Sequence, residues 1–399
     1  PSLLVFGHRP TSDRSCSAAL AARYDALLQK DRTDQPTLNN ERSKQSAMKF
    51  FKIAMPGIGL LFLGYLIGAM DPDEVGRNLA VLKWSFPLAL ALACSWHITN
   101  SIAWSFAFSL EQGRPKLRSL FMAKLAGEAV SQLTPLANLG GEPLKAYLLK
   151  SETPAWSNLG AVVINKTAQT LTGIGFTMLG LSLVFFHWNL PVDFPLAIQL
   201  GLGALMATAI ALVLLLWKKQ QHLFSSIVLI LKKLGVQTDG VEGRMARATH
   251  IDASIGLFYR AHKKRFFLVL FFHSAGWMLG ACETYVILRS IEPSITFPVA
   301  FLVTSLTVII NSLFFFVPSN IGVLEGGQVF LLAALGLNPA VGLSLGLAKR
   351  MRKVFWIFIG WLFLTYLSRK ALEQGLDRSS KQHPIRTDLP TGQQEFHYN

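Results

Sequence analysis

The sequence predicts an all-α protein, a polytopic membrane helix bundle. Three observations carry that expectation. Of 399 residues, 51% are hydrophobic and only 15% charged, where a soluble chain normally carries about 25% charged residues. Several apolar runs approach or exceed the roughly 20 residues that cross a bilayer as a helix. The basic excess, a net charge of +15, gathers at the ends of those runs, as in Lys218-Lys219, Lys263-Lys264-Arg265 and Lys349-Arg350-Met351-Arg352-Lys353. That placement signals membrane topology and anionic lipid surfaces, so no nucleic-acid partner is expected. Cys16, Cys94 and Cys282 show no spacing for a metal site or a disulfide framework.

Residues 1–47 form a polar leader, expected to be disordered or not native. A start-like Met48 follows, then two lysines and a first apolar run at 51–70, which reads as an anchor and not a cleaved signal. Further clear spans fall at roughly 86–109, 159–187, 196–217, 266–289, 298–317 and 354–371. Two more segments, 119–149 and 318–348, are apolar but interrupted. The expectation is therefore about seven to eight spans with two interrupted or re-entrant segments. The membrane domain is placed at 48–371 and a disordered cytoplasmic tail at 372–399.

Loop charges orient the bundle. Arg114, Lys116, Arg118, Lys145 and Lys150 in the 110–158 connection, and the many basic residues of 218–265, put both on the cytoplasmic side. A cytoplasmic tail then asks for an eighth span near 327–347. That leaves Lys349 to Lys353 either on the wrong side or buried in the protein. The stretch "QHLFSSIVLILKKLGV" at 221–236 reads either as a membrane-surface helix or as a short connecting helix.

Four spans carry polar residues at helical spacing: His97, Asn100 and Ser101; Asn165, Gln169 and Thr172, with Lys166 beside them; His273, Gly276, Gly280 and Glu283; and Thr304, Thr307 and Asn311. Singly, such stripes read as glue between helices. Together with Glu283 they point to a polar-lined central cavity, since intramembrane polar groups face a bundle interior or water.

The interrupted segments resemble each other. Pro135-Leu-Ala-Asn138-Leu-Gly140-Gly141-Glu142 and Pro318-Ser-Asn320-Ile-Gly322-Val-Leu-Glu325 both run Pro, Asn, Leu or Ile, Gly, Glu. Gly/Pro-interrupted segments in two halves of a membrane protein point to a transporter's binding site. The glycines let the backbone bend, the Asn satisfies a broken turn, and the Glu calls for a partner. Lys145 lies three residues beyond Glu142, within reach on a helix.

"LTPLANLGGEPLKAYLL" resembles the Gly-Gly-Glu signature of the transmembrane domain of lysylphosphatidylglycerol synthases. "VPSNIGVLEGGQVFLLAALGLNPAVGLSLGLAKR" resembles its second signature, Pro-x-x-x-Gly-x-x-Glu-Gly followed by an apolar helix and a basic residue. The similarity spans about residues 50–370, and the compact chain most resembles the hopanoid-biosynthesis-associated members. The resemblance implies a flippase-like helical domain that handles lipids. It marks Gly140, Gly141, Glu142, Gly322, Glu325, Gly326 and a basic residue at Lys349 or Arg350. With Asn138, Lys145, Asn320, Glu283 and Asn165 from the residue patterns, these are the candidate substrate-binding positions. The synthases carry a soluble aminoacyl-transfer domain after the membrane region, and only residues 372–399 follow it here, so lysine transfer is not expected.

The function expected is translocation or transport of a lipid, a hopanoid or a phospholipid, by a multi-pass protein of the bacterial inner membrane. An intramembrane lipid-modifying enzyme, or a non-transporting scaffold of a lipid-synthesis complex, stays open as an alternative. Catalytic residues, metal ligands and cofactors are not expected. The expected partners are a membrane lipid and lipid-biosynthesis proteins. A G-x-x-x-x-G-K-[ST] phosphate loop is missing from the sequence, which argues against ATP-driven pumping by this chain alone.

Overall fold

The computed structural model divides the chain into two units, Pro1–Ile58 and Gly59–Asn399, and the second forms the bundle. Residues 60–108, 113–133, 140–186, 241–315 and 317–382 are described, with position 57 and scattered positions between 196 and 211. The leader, the candidate Asn138, the 221–236 stretch and most of the 196–217 run lie outside the described residues.

Every regular element among the described residues is a helix. Helix α1 is Leu60–Ala69 and α2 is Pro72–Val81. Asp71 caps α2, accepting from the Asp73 N–H at 3.0 Å, and Pro72 opens it. Helix α3, Ser85–Phe106, meets α2 at a bend of 69°. Then come α4 (Leu117–Leu133), α5 (Gly141–Leu148) and α6 (Ala155–Phe185). After the undescribed stretch follow α7 (Val241–Ala261), α8 (Lys263–Ile291), α9 (Phe297–Leu313), α10 (Val323–Ala334) and α11 (Pro339–Gln382).

Two stretches, Ser157–Val184 in α6 and Lys263–Ile291 in α8, are singly long and apolar enough to cross a membrane, and the bent α2–α3 pair makes a third. Helices α1, α9 and α10 are apolar but shorter. Much of the bundle is thus built from bent or paired pieces where the hydropathy pattern suggests plain spans.

The eighth span expected at 327–347 is the clearest case. It is not one helix. Helix α10 stops at Ala334, and Gly336 takes φ 70°, the left-handed conformation that glycine adopts without a Cβ clash. The Leu337 N–H returns to Leu332 O at 2.9 Å and the Gly336 N–H to Ala333 O at 3.0 Å, closing the helix end. Asn338 Oδ1 then caps the next helix at Ala340 N–H, 2.9 Å, and Pro339 starts it. From there α11 runs unbroken through the basic cluster and past the expected boundary at 371 to Gln382. Hydropathy joined two helices across a Gly-Leu-Asn-Pro stop signal that capping chemistry reads directly.

Two apolar cores bracket a polar layer. One joins Ala89 of α3 and Ile287 and Leu288 of α8 to the buried faces of α9, α10 and α11. The other joins Ala103 and Trp104 at the far end of α3 and Val269 of α8 to α4, α5, α6 and α7. Between them on α3 lie His97, Asn100 and Ser101, and on α8 His273, Glu283 and Thr284, all buried. The outside is inverted relative to a soluble protein: Phe267, Phe271, Met278, Phe330, Phe358 and Trp361 are exposed. An apolar face this broad suits lipid contact.

Candidate functional site

The site grows from helix ends that carry charge inward. At the first interrupted segment, α5 folds back on α4 because both carry glycine where they meet. A Cβ on Gly141 would collide with the backbone carbonyl of Gly127, and one on Gly127 would collide with Gly141 O and the Lys145 side chain. The Gly141 N–H donates to Ser131 Oγ at 2.9 Å, which ties down the start of α5. Gly140 is its N-cap. Glu142, in the first turn, accepts from Lys145 Nζ at 3.0 Å and faces Lys166 Nζ of α6 at 3.6 Å. One carboxylate therefore serves two ammonium groups.

The second interrupted segment is the more strongly bent. The turn Pro318–Asn320 holds Ser319 at φ 56° and Asn320 at φ 52°, and Gly322 follows at φ 77°. Left-handed Ser and Asn are uncommon and mark a tightly determined backbone. With its NH₂ turned toward them, the Asn320 amide donates to the carbonyls of Phe314 and Val317, 3.1 Å each, and the Asn311 side-chain amide lies beside it at 2.6 Å. It thus satisfies groups released where α9 ends. Glu325, fully buried, sits at the third position of α10 and accepts the Gly322 N–H at 2.9 Å. Its other oxygen takes the Arg350 guanidinium, and Arg350 Nη2 also donates to Asn320 O at 3.3 Å. Gly326 lets α10 approach Phe62 of α1.

Helix α11 seats against α10 through Gly342 and Gly346, four residues apart. A Cβ on Gly342 would meet the backbone of Gln328 and Val329, and one on Gly346 the Glu325 backbone. This close approach decides where the basic cluster points. Arg350 turns to Glu325. Lys349, Arg352, Lys353 and Trp356, at i, i+3, i+4 and i+7, line one face. Met351, Val354, Phe355 and Phe358 are exposed outside. The basic residues of the cluster therefore turn inward from a helix and are not loop charges.

That face looks into a cavity of about 380 Å³. Opposite it are His97, Glu128 and Gln132 from α3 and α4, Gly280 and Glu283 from α8, and Thr304, Thr307 and Asn311 from α9. Trp96, Trp277 and Trp356 also line it. Glu283 pairs with Arg352 through Oε2, while its Oε1 has no partner among the described residues. Glu128 pairs with Lys124, whose ammonium also donates to His97 Nδ1 at 3.0 Å and lies 4.5 Å from the Trp96 ring centroid.

Beside the cavity, three of the polar stripes meet at His273. Asn100 spends its amide N–H on Trp96 O, 2.7 Å, so its oxygen accepts the His273 Nδ1–H at 2.7 Å. His273 Nε2 stands 2.9 Å from Asn165 Oδ1, so the ring lies between the amide oxygens of two helices. Asn165 is thus part of a helix-to-helix contact and does not line the cavity. Of the candidates, Asn320, Glu283 and Lys349 line the cavity. Glu142 and Lys145 form a separate ion cluster, and Glu325 and Arg350 hold the second bend together. Lys124, Glu128 and the three tryptophans were not singled out by the sequence patterns, and Arg352 and Lys353 only as members of the basic cluster 349–353. The available signal was Lys124 and Glu128 at i, i+4 inside an apolar segment, where two charges survive only as a pair.

The profile of the lysylphosphatidylglycerol synthase transmembrane region matches residues 52–360. A UPF0104 membrane protein of Methanothermobacter thermautotrophicus is 23% identical over 345 residues, which cover 80% of this chain and 97% of that protein. Another from Pyrococcus horikoshii is 24% identical over 244 residues, 58% of this chain and 71% of its own length. No solved structure matches the chain. With both signature segments inside the matched region, the chain belongs to the family of the lysylphosphatidylglycerol synthase transmembrane region.

Proposed function

We propose that this membrane protein translocates a lipid between leaflets, with the headgroup passing through the central cavity. The observation that carries the reading is the cavity of about 380 Å³, walled by charged residues from α4, α8 and α11 inside a bundle whose outer surface is apolar. A lipid presents the complementary division, a polar head for the cavity and chains for the exterior. The bent element Pro318–Gly322 is part of the wall through Asn320, and irregular backbone inside such a bundle is tolerated where it lines a cavity. The family supports a lipid-related role. A hopanoid or phospholipid substrate, a bacterial inner-membrane setting and lipid-synthesis partners belong to the same proposal. The test is reconstitution of the purified protein into vesicles carrying a headgroup-labelled phospholipid. Quenching by a membrane-impermeant reductant should exceed the outer-leaflet half seen in protein-free vesicles. Quenching that stops at half in both would refute translocation of that lipid.

A further inference from the structure

The charges around the cavity do not cancel, and the remainder points to a ligand. Glu283 is matched by Arg352 and Glu128 by Lys124. Glu325, just outside, is matched by Arg350. Two cations of the cavity wall are left over. Lys349 is 8% exposed and has neither an ion pair nor a hydrogen bond among the described residues. Lys353, half-buried one turn away on the same face of α11, has among the described residues only the carbonyl of Ser319, at 2.9 Å. The carboxylate that acts on Lys349 is Glu283, which Arg352 already holds, and an ammonium kept from water without a direct ion pair is expensive. An arrangement of two such groups side by side, opening into one cavity, is stable when an anion completes it.

We propose that the cavity binds a phosphomonoester or similarly dianionic headgroup, with Lys349 and Lys353 as its phosphate ligands. The inference rests on the reading of the cavity as the headgroup site and names the headgroup class. Two uncompensated positive charges match a phosphomonoester, which carries about −1.5 to −2 at neutral pH. A phosphodiester brings one charge and leaves a lysine unmatched. A zwitterionic headgroup brings its own cation into a wall that already has two to spare. Lysines suit the task as point-charge donors, with three N–H bonds each that rotate to follow phosphate oxygens. At roughly 30 Å³ per water, the cavity of about 380 Å³ has room for the phosphate and several waters.

The test uses the full-length protein in detergent, titrated separately with phosphatidic acid, phosphatidylglycerol, phosphatidylcholine and inorganic phosphate, with binding read by native mass spectrometry. Phosphatidic acid is expected to bind most tightly of the three lipids. In Lys349→Gln/Lys353→Gln its affinity should fall on the order of tenfold or more per lysine, as charged hydrogen bonds are lost, and the preference should vanish. A response to phosphatidic acid assigns the dianion site to a lipid, and a response to inorganic phosphate alone assigns it to a soluble phosphate. Both support the site. Equal binding of all three lipids, or a preference for phosphatidic acid that survives in the double variant, would overturn it. The ligand-free double variant should melt at the same temperature as the wild type or higher, because it sheds uncompensated charge. A lower melting temperature would show the lysines to be structurally paired and would also overturn the proposal. Binding is read without transport, so the two readings fail separately. Translocation without headgroup preference removes this inference alone. Phosphatidic acid binding without translocation of any lipid removes transport and leaves the site.

Discussion

Glu325 shows how one side chain serves two ends of the structure. One oxygen caps the Gly322 N–H at the start of α10 and the other holds Arg350 of α11. Glutamine keeps the cap and the size but leaves Arg350 without its counter-ion. Breaking a buried pair by removing one partner typically costs about 3–5 kcal/mol. Glu325→Gln is therefore expected to lower the melting temperature of the purified protein markedly. Glu325→Gln/Arg350→Gln should recover most of that loss, because the stranded charge goes too. A thermal-melting double-mutant cycle checks this, and additive losses would show the two residues to be uncoupled. The glutamates of both interrupted segments were legible in the sequence because charge stands out in apolar surroundings. Which basic residue each would meet was not. Arg350 and Arg352 differ by two positions, about 200° around a helix, and only the seating of α11 on α10 sends one to Glu325 and the other to Glu283.

At the scale of elements, close backbone approach does much of the positioning. Helices α4 and α5 touch at Gly127 and Gly141, where an added methyl group meets backbone as well as the Lys145 or Ser131 side chain. Gly141→Ala should destabilise the hairpin by about 1–3 kcal/mol or more, the usual range for overpacking. At Gly175, in α6, an added Cβ would have nothing within 4 Å. Gly175→Ala should be neutral or stabilising by up to about 1 kcal/mol, through helix propensity. Limited proteolysis of the two variants side by side separates the effects, and equal sensitivity would contradict the packing account. The helices themselves were largely readable from hydropathy, as at Ser85–Phe106 and Lys263–Ile291. The failure at 327–347 has a physical cause. Hydropathy averages over a window and is blind to a single left-handed glycine, whereas Gly336 and Pro339 end one helix and start the next within four residues. The basic cluster at 349–353 was similarly hard to place. Its i, i+3, i+4 spacing marks one helix face, but a topology rule counts charges without asking where they point.

Over the whole molecule, two apolar cores clamp a polar layer, and the cavity opens within that layer. The four polar stripes showed from sequence that such a layer exists. They did not show that the residues Asn100, Asn165 and His273 close on one another while Glu283, Thr304, Thr307 and Asn311 face open space, because that division depends on the rotation of each helix. The central claim is that headgroups pass through this space. Gly280 gives the most direct way to block it, since it lines the cavity and a Cβ there has nothing within 4 Å. A large side chain at that position fills the void without displacing its walls. The measurement is the rate of labelled-lipid translocation in vesicles containing equal amounts of wild type or Gly280→Trp, each with its melting temperature determined beforehand. The account predicts that Gly280→Trp melts close to the wild type and loses translocation. A variant that fills the cavity and still moves lipid at the wild-type rate would contradict it.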